Sequence, residues 1–132
     1  MKFLLDTNTV SYYMRGDEGV SKKIHQSNPD DIAISSVTVM ELVFGAYKRD
    51  SKKITEMVNA FIEEVNVLPF KIEAARQAGI IRAQLSANGI ALSFPDSQIA
   101  GQAKVLKRTL VTSDHDFDTI PKLKTICWRS RG

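Results

Sequence analysis

Short apolar runs alternate along this chain with longer stretches of helical periodicity. Residues 2–6 (KFLLD) are continuously apolar up to the terminal acid, the pattern of a strand buried on both faces of a parallel sheet. Residues 32–35, 65–68 and 109–112 are further strand candidates, Pro69 closes the third run, and residues 124–128 predict an edge strand. Between them the spacing predicts helices over 10–15, 19–26, 37–48, 52–64, 71–87 and 96–107. Strands alternating with helices build an α/β sandwich around a mostly parallel, four- or five-stranded sheet. In such sheets, ligands gather beyond the carboxyl ends of the strands.

That corollary directs attention to the acids. Asp6 ends the first apolar run, and Asp114 and Asp116 follow the TLVT run in the turn SDHDF. Each would serve equally as an Asx turn or helix cap. Asp96 opens a helix, where the helix dipole favours an acid for local reasons alone. Glu41 is harder to explain locally, because its helical neighbours are Val37, Thr38, Phe44 and Gly45. A carboxylate on that face needs a buried Lys or Arg partner, a narrow wet edge, or a functional reason. Taken together, three acids at element ends and one on an inward-facing helix would share one edge of the sheet. Two carboxylates 4 Å apart repel by about 4 kcal/mol at an effective dielectric of 20. Such a set calls for a cation, and oxygen ligands without clustered Cys or His select Mg²⁺ or Mn²⁺.

Composition narrows the remaining classes. At 132 residues with 43% hydrophobic content, the chain reads as one domain over 1–132, without internal repeats or a linker. Its one cysteine, Cys127, rules out a disulfide framework or a Cys-rich zinc site and suits a reducing, cytoplasmic setting. The opening turns polar too early for a signal-peptide core, and no apolar run approaches a membrane span. No GxSxG elbow, Gly-rich phosphate loop or HExxH is present. After Asp118 no acid remains, whereas Lys122, Lys124, Arg129 and Arg131 follow, four charges that exceed the formal net charge of +3. His25 and His115 read as surface and turn residues. The stripe of Ile54, Val58, Phe61 and Ile62 reads as core or a dimer face, and Lys48, Arg49, Lys52 and Lys53 as solvated surface ahead of a phosphate contact.

Five blocks in order resemble the PIN domain, and within it the VapC toxins of bacterial VapBC toxin–antitoxin pairs. They are Leu5-Asp6-Thr7-Asn8, Ile34 through Leu42 with Gly45-Ala46 beyond, Ile81-Arg82-Ala83-Gln84-Leu85, Pro95 through Ala100, and Leu110 through Asp114. The resemblance implies a PIN-like three-layer α/β/α sandwich and a Mg²⁺- or Mn²⁺-dependent endoribonuclease that cuts cellular RNA, plausibly tRNA, and arrests translation. It implies that Asp6 and Asp96 are the principal metal ligands, with Glu41 and Asp114 completing the catalytic pocket and Asp116 able to share the last role. Thr7, Asn8, Thr112 and Ser113 would support the acids by hydrogen bonding. The implied partners are a VapB-type antitoxin and a second copy of the chain. Ser93-Phe94-Pro95-Asp96 departs from the Gly-Pro pair of many relatives, and Asn often stands where Asp114 does here. Two other classes compete. A phosphoryl-accepting signalling domain would pair acids after its first strand, where this chain has a lone Asp6; a catalytically silent PIN-like module would not need four acids.

Overall fold

The computed structural model describes residues 1–131; Gly132, the last position of the expected domain, lies outside them. The elements are β1 (Phe3–Leu5), α1 (Thr7–Met14), α2 (Glu18–Gln26), β2 (Ile32–Ser35), α3 (Ser36–Arg49), α4 (Lys52–Glu64), β3 (Asn66–Leu68), α5 (Ile72–Ala87), α6 (Phe94–Leu106), β4 (Thr109–Val111) and β5 (Thr125–Ile126). The strands form one sheet in the order β3-β2-β1-β4-β5, with every pair parallel. From β1 the chain moves outward through β2 and β3, then crosses back to place β4 on the other side of β1. This reversal opens a crevice beyond the carboxyl ends of β1 and β4.

Both faces of the sheet are covered, which explains why the strands read as continuous apolar runs. Leu4, Ala33 and Leu110 face one helical layer, packing with Ile81, Leu85, Ile99, Ala100 and Ala103 of α5 and α6. Their chain neighbours Leu5, Ile34 and Val111 face the other, with Val10, Val20, Leu42, Ala46 and Val58. The period of two thus assigns adjacent leucines to opposite cores. Burying each leucine contributes about 1.5–3 kcal/mol.

Several boundaries differ from expectation for local reasons. Helix α1 starts at Thr7 rather than at 10, because the Asp6 side chain accepts from the Thr9 backbone N–H at 2.8 Å and caps it there. Helix α6 starts at Phe94 rather than 96, capped by Ser93 with Pro95 in its first turn. The edge strand shrinks to Thr125–Ile126, since β5 pairs only with β4 and Trp128 turns inward to meet Phe3 edge-on at 4.8 Å. Val58 is 3% exposed, and Ile54, Phe61 and Ile62, each half-buried, pack on the same core, which fits the core reading of that stripe.

Helices α5 and α6 touch through Gly101, where an added Cβ would lie 2.7 Å from both the Ala74 carbonyl and the Ala78 amide nitrogen. This close approach sets the depth at which α6, and with it Asp96, sits against the rest of the molecule.

Candidate active site

Asp6 leaves β1 at the crevice with only 2% of its surface exposed. Its backbone N–H continues the ladder to the Val111 carbonyl at 3.1 Å, while Thr9 Oγ1 donates to the same carbonyl at 3.0 Å. The ends of β1 and β4 are thereby locked together. Burial pushes the Asp6 carboxyl above its usual range; hydrogen bonds from Thr112 and Thr9 oppose the shift, and the charge of Asp114 adds to it.

Asp96 reaches the crevice from the first turn of α6 and is also pushed upward. Burial is the main cause, opposed by Ser93, and the charges of Asp6, Glu41 and Asp114 each raise it further. One carboxyl therefore feels the other three, although the four come from β1, α3, α6 and the turn after β4. Neither ion pair among the described residues involves any of them.

The partner of Glu41 is not a buried Lys or Arg. Thr7 Oγ1 donates to its Oε1 at 2.5 Å and lies 3.1 Å from Thr38 Oγ1, so α1 and α3 meet through a small polar bridge beside the acids. Asp114 caps a short 3₁₀ turn, accepting from the Asp116 N–H at 2.9 Å, while its own N–H donates to Thr112 Oγ1 at 3.1 Å. The turn roles read from the sequence and the charged role coexist at Asp6 and Asp114, since one carboxylate oxygen can cap while the group still contributes its charge. Asp116 is exposed and is not among the charges acting on Asp6 or Asp96. Asn8 is exposed beside Glu41, and Ser113 is half-buried next to Asp114. His115 turns outward to Asp118 at 3.0 Å.

Arg82 is a supporting residue that nothing in the sequence sets apart from the Ile81–Leu85 block around it. Its guanidinium donates to the Leu92 carbonyl at 3.0 Å and stacks 3.9 Å over the Phe94 ring, fixing the segment that delivers Asp96. Thr9 and Thr38 were also missed; nothing distinguishes them in the sequence from ordinary helix threonines. A groove of about 340 Å³ runs from Glu41 between α1, α3 and α4, floored by Leu42, Ala46 and Val58 and flanked by Arg15 and Arg49. Arg49 is exposed, as read from the sequence, and also flanks the groove that Glu41 lines.

Among the described residues, no three acids already stand at the spacing of a closed coordination shell. The donor chemistry nonetheless fits a hard dication: all-oxygen, mutually repelling and partly desolvated.

The PIN domain family model matches residues 3–123. The chain belongs to the PIN-domain family. This PIN domain is 32% identical over 130 residues to the tRNA(fMet)-specific endonuclease VapC of Salmonella typhimurium, covering 97% of this chain and 98% of the relative. Its fold superposes on a chain from the DNA-bound VapBC of Salmonella typhimurium with a TM-score of 0.87 at 33% identity, covering 97% of this chain and 98% of the other. It superposes on a chain of the VapBC complex of Rickettsia felis, bound to a promoter DNA fragment, with a TM-score of 0.83 at 27% identity, covering 97% and 99%. These likenesses run nearly end to end and place this PIN domain in the VapC group.

Proposed function

We propose that this PIN domain is the toxin of a type II toxin–antitoxin pair: a divalent-metal-dependent endoribonuclease that cuts cellular RNA in the cytoplasm, with transfer RNA as the substrate class. What supports the reading is that Asp6 and Asp114 follow the paired strands β1 and β4, and that the charges of Asp6, Glu41 and Asp114 all push the Asp96 carboxyl upward, with no ion pair among the described residues to offset them. The Salmonella relative's name supplies the substrate class.

Asp6 and Asp96 would hold a Mg²⁺ or Mn²⁺ ion, with Glu41 and Asp114 completing the site. Bound there, the ion supplies a nucleophilic water at neutral pH and neutralises charge on the phosphoryl oxygen. The chain does the positioning. Thr9 fixes the Asp6 carboxylate, Thr112 holds the Asp114 backbone, and Ser93 and Arg82 fix the start of α6. Thr7 occupies Glu41 Oε1, leaving Oε2 free to accept a proton from the attacking water. A lone carboxylate after β1 and a groove lined by Glu41 favour this reading over a phosphoryl-accepting domain.

The partner is a VapB-type antitoxin, consistent with VapBC complexes among the structural relatives, and the groove lined by Glu41 offers a partner segment a place beside that acid. A homodimer is supported by Met40, Phe44 and Tyr47, which are 54%, 62% and 71% exposed along one face of α3.

The deciding experiment is RNA cleavage by the purified chain. Cleavage is expected with Mg²⁺ or Mn²⁺, is absent in EDTA, and is lost in Asp96→Asn. Intact RNA with the metal present, or equal cutting by the variant, contradicts the assignment.

A further inference from the structure

The excess positive charge that the sequence places after Asp118 does not simply solvate a tail. Lys122 and Lys124 close on Lys104, Lys107 and Arg108 around a cavity of about 260 Å³, whose other lining residues are Ala103, Thr109 and Leu123. No acid lines it. The cavity lies where α6 ends and where β4 and β5 begin, on the opposite edge of the sheet from the acids. From Arg108 to Thr112, β4 carries the chain about 13 Å between those two edges, at 3.3 Å per residue.

The basic residues differ in how they are held: Lys107, Lys122 and Lys124 are exposed, and Lys104 half-buried. Arg108 is anchored, donating to the Phe3 carbonyl at 3.0 Å and to the Asp31 carbonyl at 3.4 Å. The lysines make no ion pair among the described residues. Lys107 and Lys122 hold left-handed backbone with φ of 54° and 60°, two of the three non-glycine residues of the described chain that do so. That conformation is unusual for a residue bearing a Cβ, and here it occurs twice on one cavity.

An RNA-cutting enzyme with an anionic crevice faces a specific difficulty. Until a cation fills the crevice, the acids repel the phosphodiester chain they must cut, so affinity has to come from elsewhere on the surface. We propose that the cavity framed by Lys104, Lys107, Lys122 and Lys124 binds the phosphate backbone of the RNA substrate outside the crevice, gripping a part of the molecule distant from the cut. This rests on the ribonuclease reading and adds a second contact to it. The grip is indifferent to base sequence, since lysines recognise phosphate as point charges. It is available only to an RNA large enough to reach from one edge of the sheet to the other.

The test compares the wild-type chain with a variant carrying Lys104→Gln, Lys107→Gln, Lys122→Gln and Lys124→Gln, using a full-length transfer RNA and a single-stranded RNA of a few nucleotides. On the long RNA, KM is expected to rise about tenfold or more with kcat unchanged. The slope of log affinity against log salt should fall by about one for each lysine that contacts a phosphate. On the short RNA both proteins should behave alike. Unchanged KM and salt slope on the long RNA overturn the proposal, as does an equal loss on the short one. Duplex DNA is the third arm: a variant that loses affinity for DNA but not for RNA shows that the cavity serves a different polyanion, and the proposal fails. A wild-type chain that binds the long RNA in EDTA but cuts neither RNA when metal is added contradicts the ribonuclease reading instead. The affinity comparison then still decides whether the cavity holds RNA.

Discussion

Asp6→Asn is expected to reduce RNA cleavage by about a hundredfold or more while raising the melting temperature of the metal-free protein by about 2–4 °C. The two effects share a cause. Asp6 is 2% exposed, and both burial and the charge of Asp114 disfavour its ionised form. Asparagine keeps the cap on α1, because its side-chain oxygen accepts the Thr9 N–H as the aspartate does. What disappears is the buried charge, which folding opposes and the metal needs. The sign of the pH dependence follows. The carboxyls of Asp6 and Asp96 both titrate above the ordinary value of 3.8 in the folded protein. Their protonated forms are therefore favoured by folding, and the stability they contribute is present below that value and lost as pH rises through the shifted range. In EDTA, the gap in melting temperature between Asp6→Asn and the wild type should widen from pH 4 to pH 7, and added Mn²⁺ should close it by stabilising the wild type alone. Thermal denaturation in the two buffers checks this; an asparagine variant less stable than the wild type at pH 7 without metal contradicts it.

Gly101→Val is expected to destabilise the fold by about 3 kcal/mol or more, whereas Gly79→Ala, on the neighbouring helix, should stabilise it by about 0.4–1 kcal/mol. At Gly101 even a single Cβ would meet backbone on both sides, 2.7 Å from the Ala74 carbonyl and 2.7 Å from the Ala78 nitrogen. Neither atom can rotate away as a flexible side chain would, so α6 must lift from α5. Such a lift carries Asp96 away from Asp6 and Glu41, and Gly101→Val that still folds should be inactive. A Cβ at Gly79 meets nothing within 4 Å, and alanine there restricts only the unfolded chain. Denaturant titration of both variants gives the comparison. Equal stabilities would mean that α5 and α6 are not in the close contact described.

The two glycines also mark the limit of what the sequence discloses. Both stand in helical patterns directly after an alanine, and no periodicity says which one touches another backbone. The strands were legible because burial on both faces leaves continuous apolar runs at Leu4-Leu5, Ile32 through Ile34 and Leu110-Val111. The edge strand was overestimated because β5 has a single neighbour, and Trp128 serves the core rather than the ladder. Glu41 stood out because an acid on an apolar helical face lacks a local explanation. Its partner Thr7 was noted only through the family resemblance, since a contact spanning 34 residues leaves no local trace. Asp114 and Asp116 could not be separated by pattern. Only the turn geometry gives the first its cap and its nearness to Asp6 and Asp96, and sends the second toward solvent. Arg82 was hidden for a similar reason: its partners Leu92 and Phe94 lie across a loop whose shape no spacing rule supplies.

Calorimetric titration of Mn²⁺ into the metal-free chain, beside Asp96→Asn, tests most directly whether the assembled acids form a cation site. Saturable binding by the wild type that is weakened at least tenfold in the variant is the predicted result. Mn²⁺ that fails to bind the wild type, or binds both proteins alike, would contradict the account.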